Sequence, residues 1–458
     1  MKTTTSQTRR STAFDETKIA FSFAAISDIH IGNDPAKRDE RNFVSALTQL
    51  KDYAARSCPG GLDAVLIVGD LINAGGYGGK FEQMYVCKRL YESVLNPKEI
   101  PMIHAVGNHD VKWSAASREY SDILNGMLGD DYFLTDVDKE ILQTEGNRHC
   151  VVNGCHIITL LPVTYTNVTY TEVTKDWLDK TLAEITAAEP NAYVIVLTHP
   201  MIYDTVYGST LGREPGSTLT DMWVTSDLTD ILSKYNQVVV FGGHLHFPLN
   251  DPRSIMQTAF TSLGCGSVNY MAIEDGDYIN MASKTTMNDK YEFSQGLFCQ
   301  IDENGNLRIT RMDFYNKTTV GECWELPYPT ADGAHLTLYG KDRGSAEKNR
   351  APELSRAHAV SDSPDGDGKR ATVIEFAAAK DDTFAHHYTL ELKNAATGET
   401  VKTFRILSDF YRVSFPSQMK PVLSCEIGPL APGEYEAILV AYDSWSAASA
   451  PLAFRFVV

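Results

Sequence analysis

Nine residues able to bind a metal or move a proton each fall directly after a short apolar run. Asp28-Ile29-His30 follows Phe21–Ser27, and Gly69-Asp70 follows Ala64–Val68. Gly107-Asn108-His109-Asp110 follows Pro101–Val106, and His199 follows Ala192–Thr198. Gly243-His244-Leu245-His246 follows Val238–Phe241. Taken singly each is an ordinary turn, because Asp, Asn and Gly close strands and cap helices everywhere. Five in order along one chain are a different matter. Mixed imidazole and carboxylate groups suit Mn, Fe or Zn and are too rich in nitrogen for Mg or Ca. Two such ions roughly 3.5 Å apart clamp the attacking and leaving oxygens of an in-line displacement at phosphorus.

The elements that must position these residues are short strands alternating with helices. Arg38–Arg56 carries Phe43, Leu47, Leu50 and Ala54 at helical spacing, and a second helix with Phe81, Tyr85 and Val94 is expected after Asp70. Trp177–Ala187 and Leu219–Lys234 are expected as helices too. The alternation predicts an α/β protein with a partly parallel sheet. In such a sheet the carboxyl ends of the strands share one rim, where loops build a site. His104, inside the third strand, is expected as a core or pocket-wall residue. After Phe247 strands dominate: Gln257–Leu263, Leu297–Ile301 and Leu307–Phe314, and beyond Glu353 the segments Ala371–Ala377, His387–Leu392, Tyr411–Ser414, Tyr435–Tyr442 and Leu452–Val457 are expected as strands as well.

The ordered set D-x-H, G-D, G-N-H-D, H and G-H-x-H resembles the calcineurin-like metallophosphoesterases over about residues 20–320. The resemblance implies a four-layer αββα fold, two packed sheets flanked by helices, with two divalent transition-metal ions at the strand ends. Carried over position by position, it implies Asp28, His30, Asp70 and His246 around the first ion. It implies Asp70, Asn108, His199 and His244 around the second, with Asp70 bridging the two. His109 matches the family's proton donor to the leaving group, and Asp110 a supporting role in the loop. The implied reaction is hydrolysis of a phosphate ester by a hydroxide held between the ions.

Asn73 stands three residues after Asp70, where purple acid phosphatases carry a tyrosine ligand. The G-D-x-x-D-R-G motif of phosphoprotein phosphatases is absent as well. What remains resembles the bacterial branch of cyclic-nucleotide and glycerophosphodiester phosphodiesterases, so a phosphodiester is the expected substrate. A phosphomonoester, or a non-catalytic binding scaffold on the same fold, are the alternatives. Tyr77, Trp113 and Tyr203 are candidates for the substrate rim, with Tyr207 and Trp223 behind them, and Met201–Met222 is a candidate lid. Their alternative role is to anchor long loops onto the sheet.

Composition bounds the partners. The chain has 458 residues and a net charge of −18, most of the acidic excess lying before position 331. That charge repels a nucleic-acid polymer and leaves a small phosphate ester as the expected substrate. No apolar run reaches the ~18 residues of a membrane span, and no signal peptide is visible, so a cytoplasmic location is expected. Eight cysteines include no C-x-x-C pair, and Cys150 and Cys155 are expected to stay unpaired across a hairpin turn.

The domain reading is a tail (1–19), a metallophosphoesterase domain (20–329), a polar linker (330–352) and a β-sandwich (353–458). The string Leu430–Ala437 resembles the tyrosine-corner turn of fibronectin type III domains, with Tyr435 at the corner. The partner of that sandwich is left open by the sequence. His386 and His387 are adjacent on a strand, so they are expected on opposite faces with one exposed.

Overall fold

The computed structural model describes residues 10–73, 80–110, 145–165, 168–210, 224–272, 290–361 and 370–458. Tyr77, Trp113 and Trp223 lie outside the described residues, as does most of the candidate lid.

The chain divides into two compact units. The first holds residues up to Phe247, Ile255–Tyr270 and Ser294–Gly340; the second holds Pro248–Ser254, Met271–Phe293 and Lys341–Val458. In chain order the first unit contributes β1 (Ile19–Ile26), β2 (Ala64–Val68), β3 (Met102–Ala105), β4 (Arg148–Val152), β5 (Cys155–Thr159) and β6 (Val194–Thr198). It continues with β7 (Met201–Ile202), β8 (Val224–Thr225), β9 (Val238–Gly242), β10 (Ile255–Gln257) and β11 (Thr261–Gly264). It ends with β12 (Gln295–Asp302), β13 (Leu307–Asp313), β14 (Thr318–Thr319) and β15 (Trp324–Leu326). Helices α1 (Arg38–Ser57), α2 (Lys80–Glu92), α3 (Glu172–Ala188) and α4 (Thr229–Leu232) lie between them.

Two mixed sheets result. One has the order β14-β13-β12-β1-β2-β3 with β15 on β13; the other has the order β10-β11-β9-β6-β5-β4. β1, β2 and β3 run parallel, as do β5, β6, β9 and β11. Their side chains alternate between two apolar surroundings, which is why every residue of β2, β6 and β9 is buried. Val65 and Ile67 join Phe43, Leu47 and Leu50 of α1 and Met84 and Tyr91 of α2. Val194, Val196, Val238 and Val240 join Leu178, Leu182 and Ile185 of α3. The intervening residues face the other sheet, where Phe23 and Phe241 meet edge to face at 5.8 Å. This is the expected α/β architecture of helix, sheet, sheet, helix.

Three elements depart from expectation. The helix expected over Leu219–Lys234 is, among the described residues, a single turn, because Val224–Thr225 pairs in parallel with Met201–Ile202 instead. The Thr225 hydroxyl donates to Val168 O and accepts from the Asp227 N–H, so local side-chain bonds displace helical ones. The strand expected over Gln257–Leu263 folds back on itself, Gln257 pairing with Thr261. Tyr411–Ser414, expected as a strand, begins instead within the 3-10 turn Phe410–Arg412.

The second unit is built of antiparallel strands: β16 (Ala357–Ser361), β17 (Arg370–Ala377), β18 (Ala385–Asn394), β19 (Thr400–Leu407), β20 (Val422–Leu430), β21 (Glu434–Asp443) and β22 (Leu452–Val457). They form a β-sandwich of sheets β16-β17-β20 and β19-β18-β21-β22 around Ile374, Phe376, Leu390, Leu392 and Leu439. The Tyr435 hydroxyl donates to Ala431 O at 3.0 Å. His386 and His387 are both buried, contrary to simple alternation, because the pairing register of β18 with β21 shifts between Ala385 and His387. All eight cysteines are free, Cys150 and Cys155 among them. Among the described residues no helix is long and apolar enough to cross a membrane.

Candidate metal centre

The carboxyl ends of β1, β2, β3, β6 and β9 bring the seven expected ligand positions together. Asp28, His30, Asp70 and His246 form one buried cluster, and Asp70, His199 and His244 a second; within each, one donor atom per residue lies within 4.8 Å of all the others. Asp70 belongs to both. Asn108 joins the second through its Oδ1, 3.1 Å from His199 Nε2.

Backbone conformation aims these side chains. Asp28 (φ 55°), His30 (52°), Asp70 (51°), His244 (70°) and His246 (57°) all occupy the left-handed region. A non-glycine residue there costs about 1–3 kcal/mol, and such strain concentrates at functional sites. The glycines of the motifs are required by close packing. A Cβ on Gly69 would stand 2.1 Å from His199 Nδ1, one on Gly107 2.2 Å from Asp70 Oδ1, and one on Gly243 2.0 Å from Ser27 Oγ.

Second partners fix the ring nitrogens. His199 Nδ1 faces Val68 O at 2.7 Å, His246 Nδ1 faces Tyr270 O at 3.1 Å and His109 Nδ1 faces Asn73 O at 3.0 Å. A carbonyl oxygen only accepts, so each Nδ1 donates and each Nε2 of a neutral ring presents its lone pair. Those lone pairs meet other acceptors. His199 Nε2 lies 3.3 Å from Asp70 Oδ2, His246 Nε2 lies 2.9 Å from Asp28 Oδ1, and His30 Nε2 lies 3.3 Å from His246 Nε2. Asp28 Oδ1 and Asp70 Oδ2 are buried with no hydrogen-bond donor aligned on them. Lone pairs converging in a buried space need cations between them. The residues present therefore fit a pair of divalent metal ions.

The electrostatics express the same demand. At His199 burial opposes the charge, but Asp70, Asp28 and the Val68 carbonyl outweigh it and raise the pKa to about 9. At His30 and His244 burial dominates, neighbouring imidazoles add to it, and both fall to about 3. Burial pushes Asp28 upward, yet His246 and His199 bring it down to about 2. Asp70 is held well below the usual carboxylate range against its burial, chiefly by His199.

His109 stands beside the clusters without joining either. Its backbone N–H donates to Asp70 Oδ1 at 2.8 Å, and its half-buried ring meets His30 edge-on at 4.7 Å. Asp110 ties two loops together by accepting from the N–H groups of Ile72 and Gly107, and its Oδ2 lies 3.2 Å from His104 Nε2. His104 is thus a buried wall residue. Tyr203 is half-buried at the end of β7, its N–H donating to Thr225 O. Tyr207 packs its ring on Phe247 at 4.7 Å.

Sequence reasoning missed a sixth loop. After β11, Gly264-Cys265-Gly266-Ser267-Val268-Asn269-Tyr270 returns to the site: Ser267 Oγ donates to Asp28 O, and the Val268 N–H to Ser27 O. Tyr270 stacks on His30 at 5.4 Å and packs on His246 at 4.3 Å. The pair of glycines after an apolar strand was the available signal. It was hidden because β11, parallel to β9, was merged with β10.

The family model for calcineurin-like phosphoesterases matches residues 21–248. No curated protein matches the chain. Among solved structures, a purple acid phosphatase isolated from yellow lupin (Lupinus luteus) seeds is similar, with a TM-score of 0.46 and 14% sequence identity. The similarity covers 70% of this chain and 55% of that one, so this chain spans little more than half of the phosphatase's length. The family match begins inside β1 and ends two residues after His246, so the segment similar to calcineurin-like phosphoesterases encloses both clusters.

Proposed function

We propose that the protein is a dinuclear metal-dependent phosphodiesterase acting on a small phosphodiester. The observation that carries the dinuclear reading is the sharing of Asp70 between two buried clusters, with its Oδ2 left without a donor. That oxygen lies 3.7 Å from His30 Nε2 in one cluster and 3.3 Å from His199 Nε2 in the other, where an anionic donor would serve two cations. Asp28, His30, Asp70 and His246 would hold the first ion, and Asp70, Asn108, His199 and His244 the second; the nitrogen-rich donors favour Mn, Fe or Zn. The ions supply Lewis acidity to the phosphoryl oxygens and acidify a water.

The chain's own residues do the rest. The carbonyls of Val68 and Tyr270 fix the tautomers of His199 and His246. Asn73 O engages the His109 Nδ1–H, so the acid is the imidazolium form, whose Nε2–H delivers its proton to the departing alkoxide and leaves a neutral ring. Asn73 in place of a tyrosine, and the missing protein-phosphatase motif, favour the bacterial phosphodiesterase branch. The second unit, with its Tyr435 corner bond, is read as a fibronectin type III-like sandwich.

Elemental analysis after reconstitution, with turnover of bis(p-nitrophenyl) phosphate against p-nitrophenyl phosphate, tests this reading. About two ions per chain and faster hydrolysis of the diester are expected. Faster monoester turnover would replace the diester assignment with a phosphomonoesterase, and fewer than about one ion would remove the dinuclear reading.

A further inference from the structure

We propose that Tyr270 is a positioning residue for the first ion, fixing His246 with its main chain and His30 with its ring; this rests on the dinuclear reading above. The four imidazoles His30, His109, His199 and His246 differ in one respect. Three have a carbonyl facing Nδ1, whereas His30 Nδ1 is buried with no hydrogen-bond partner. Among the described residues, then, no polar group holds the His30 ring from behind, at Nδ1, and its polar neighbours all lie on the Nε2 side, where the ion would sit. Its orientation rests on neighbouring rings: His109 edge-on at 4.7 Å, His246 at 5.1 Å and Tyr270 stacked at 5.4 Å with 29° between planes. His109 and His246 are site residues with roles of their own, which leaves Tyr270 as the ring whose part is support.

The loop carrying Tyr270 is built to hold that ring still. The Tyr270 N–H donates to Ser267 Oγ at 3.3 Å, Ser267 Oγ donates to Asp28 O at 3.2 Å, and the Ser267 carbonyl accepts from the Gln295 N–H at 2.8 Å. The same residue thus hangs from the main chain of Asp28 and aligns both imidazoles of the first cluster. Its carbonyl serves His246 whatever its side chain, so substitution separates the two contributions. Residues that support a metal ligand from behind typically change affinity 10–100-fold when altered.

The test is calorimetric titration of Mn²⁺ into metal-free protein, comparing wild type with Tyr270→Phe, Tyr270→Leu and Tyr270→Ala, alongside thermal unfolding of each metal-free protein. Wild type and Tyr270→Phe are expected to bind two ions alike. Tyr270→Ala is expected to weaken one binding step by about 10–100-fold and leave the other unchanged, with Tyr270→Leu between them. Two undiminished steps in Tyr270→Ala and Tyr270→Leu would overturn the assignment, as would equal weakening of both steps. Fewer than two ions on wild type would overturn the dinuclear reading itself, and this inference with it.

Discussion

His109 is the residue whose two halves can be pulled apart. Its backbone N–H serves Asp70, while its ring serves the leaving group. His109→Ala keeps the first and deletes the second, so metal content should stay at the wild-type level. Turnover of an alkyl diester should fall by about 10²–10⁴-fold, while a nitrophenyl ester, whose leaving group departs without a proton, loses far less. Steady-state rates on the two substrates check this, and equal losses would remove the ring from the acid role. At this scale the ligand set was legible in the sequence because imidazole and carboxylate are scarce and sit directly after apolar runs. Tyr270 was not, since a tyrosine near glycines reads as any loop aromatic until its ring is seen over His30 and His246. Nor does a sequence reveal that Asp28 and His30 adopt positive φ, because Asp and His, though enriched there among side-chain-bearing residues, still occupy negative φ far more often.

Among the elements, the strand-to-loop turns set the site's tolerance. Gly69 has φ 88°, and an added Cβ would fall 2.1 Å from His199 Nδ1, in the path of its bond to Val68 O. Gly61 has a similar φ of 79° with nothing within 4 Å of an added Cβ. Gly61→Ala should therefore cost only backbone strain, about 1–2 kcal/mol, and bind metal normally. Gly69→Ala adds the clash, and should lose the second ion as well as stability. Thermal unfolding of metal-free protein and metal titration of both variants check the contrast; the same metal affinity in both would sink the steric argument. The strands and α1 were legible from periodicity, as the buried Phe43, Leu47, Leu50 and Ala54 show. The segment before Lys234 was not, because Thr225 and Asp227 take hydrogen bonds that a helix would need.

For the whole molecule, the division into two compact units does not follow a single cut in the chain. The second unit also takes in Pro248–Ser254 and Met271–Phe293, which composition does not mark. Within that unit Asp251 is fully buried, receives two bonds from the Arg253 guanidinium at 2.8 Å, and lies 3.9 Å from His386 Nε2. Burial alone would raise the Asp251 carboxyl, but Arg253 outweighs it and holds it below the usual range. Its stabilising contribution is therefore present above about pH 4 and lost as pH falls through the folded-state value. Arg253→Met leaves a lone buried charge and should cost about 3–5 kcal/mol at pH 7. Without the guanidinium, burial raises the Asp251 carboxyl of the variant, which takes a proton as pH falls while the wild-type carboxyl is still ionised, so the gap from wild type should narrow. Urea unfolding at pH 7 and pH 3.5 checks this; a gap of the same size at both would assign the loss to packing of the arginine stem.

The place of β1 governs when the molecule becomes functional during its own synthesis. β1 lies between β2, which follows it closely, and β12, which begins only at Gln295. Asp28 sits at the end of β1, on a ribbon whose other edge is bare until the ribosome has passed Asp302. At ~5–20 residues per second that interval is on the order of ten seconds to a minute. From His246 until Asp302 the nascent chain holds every cluster residue on strands whose sheet is incomplete. On the proposed dinuclear reading, a chain released in that interval would carry the candidate ligands without the frame that lets them share an ion, so loading with metal is expected only once β12 has paired with β1.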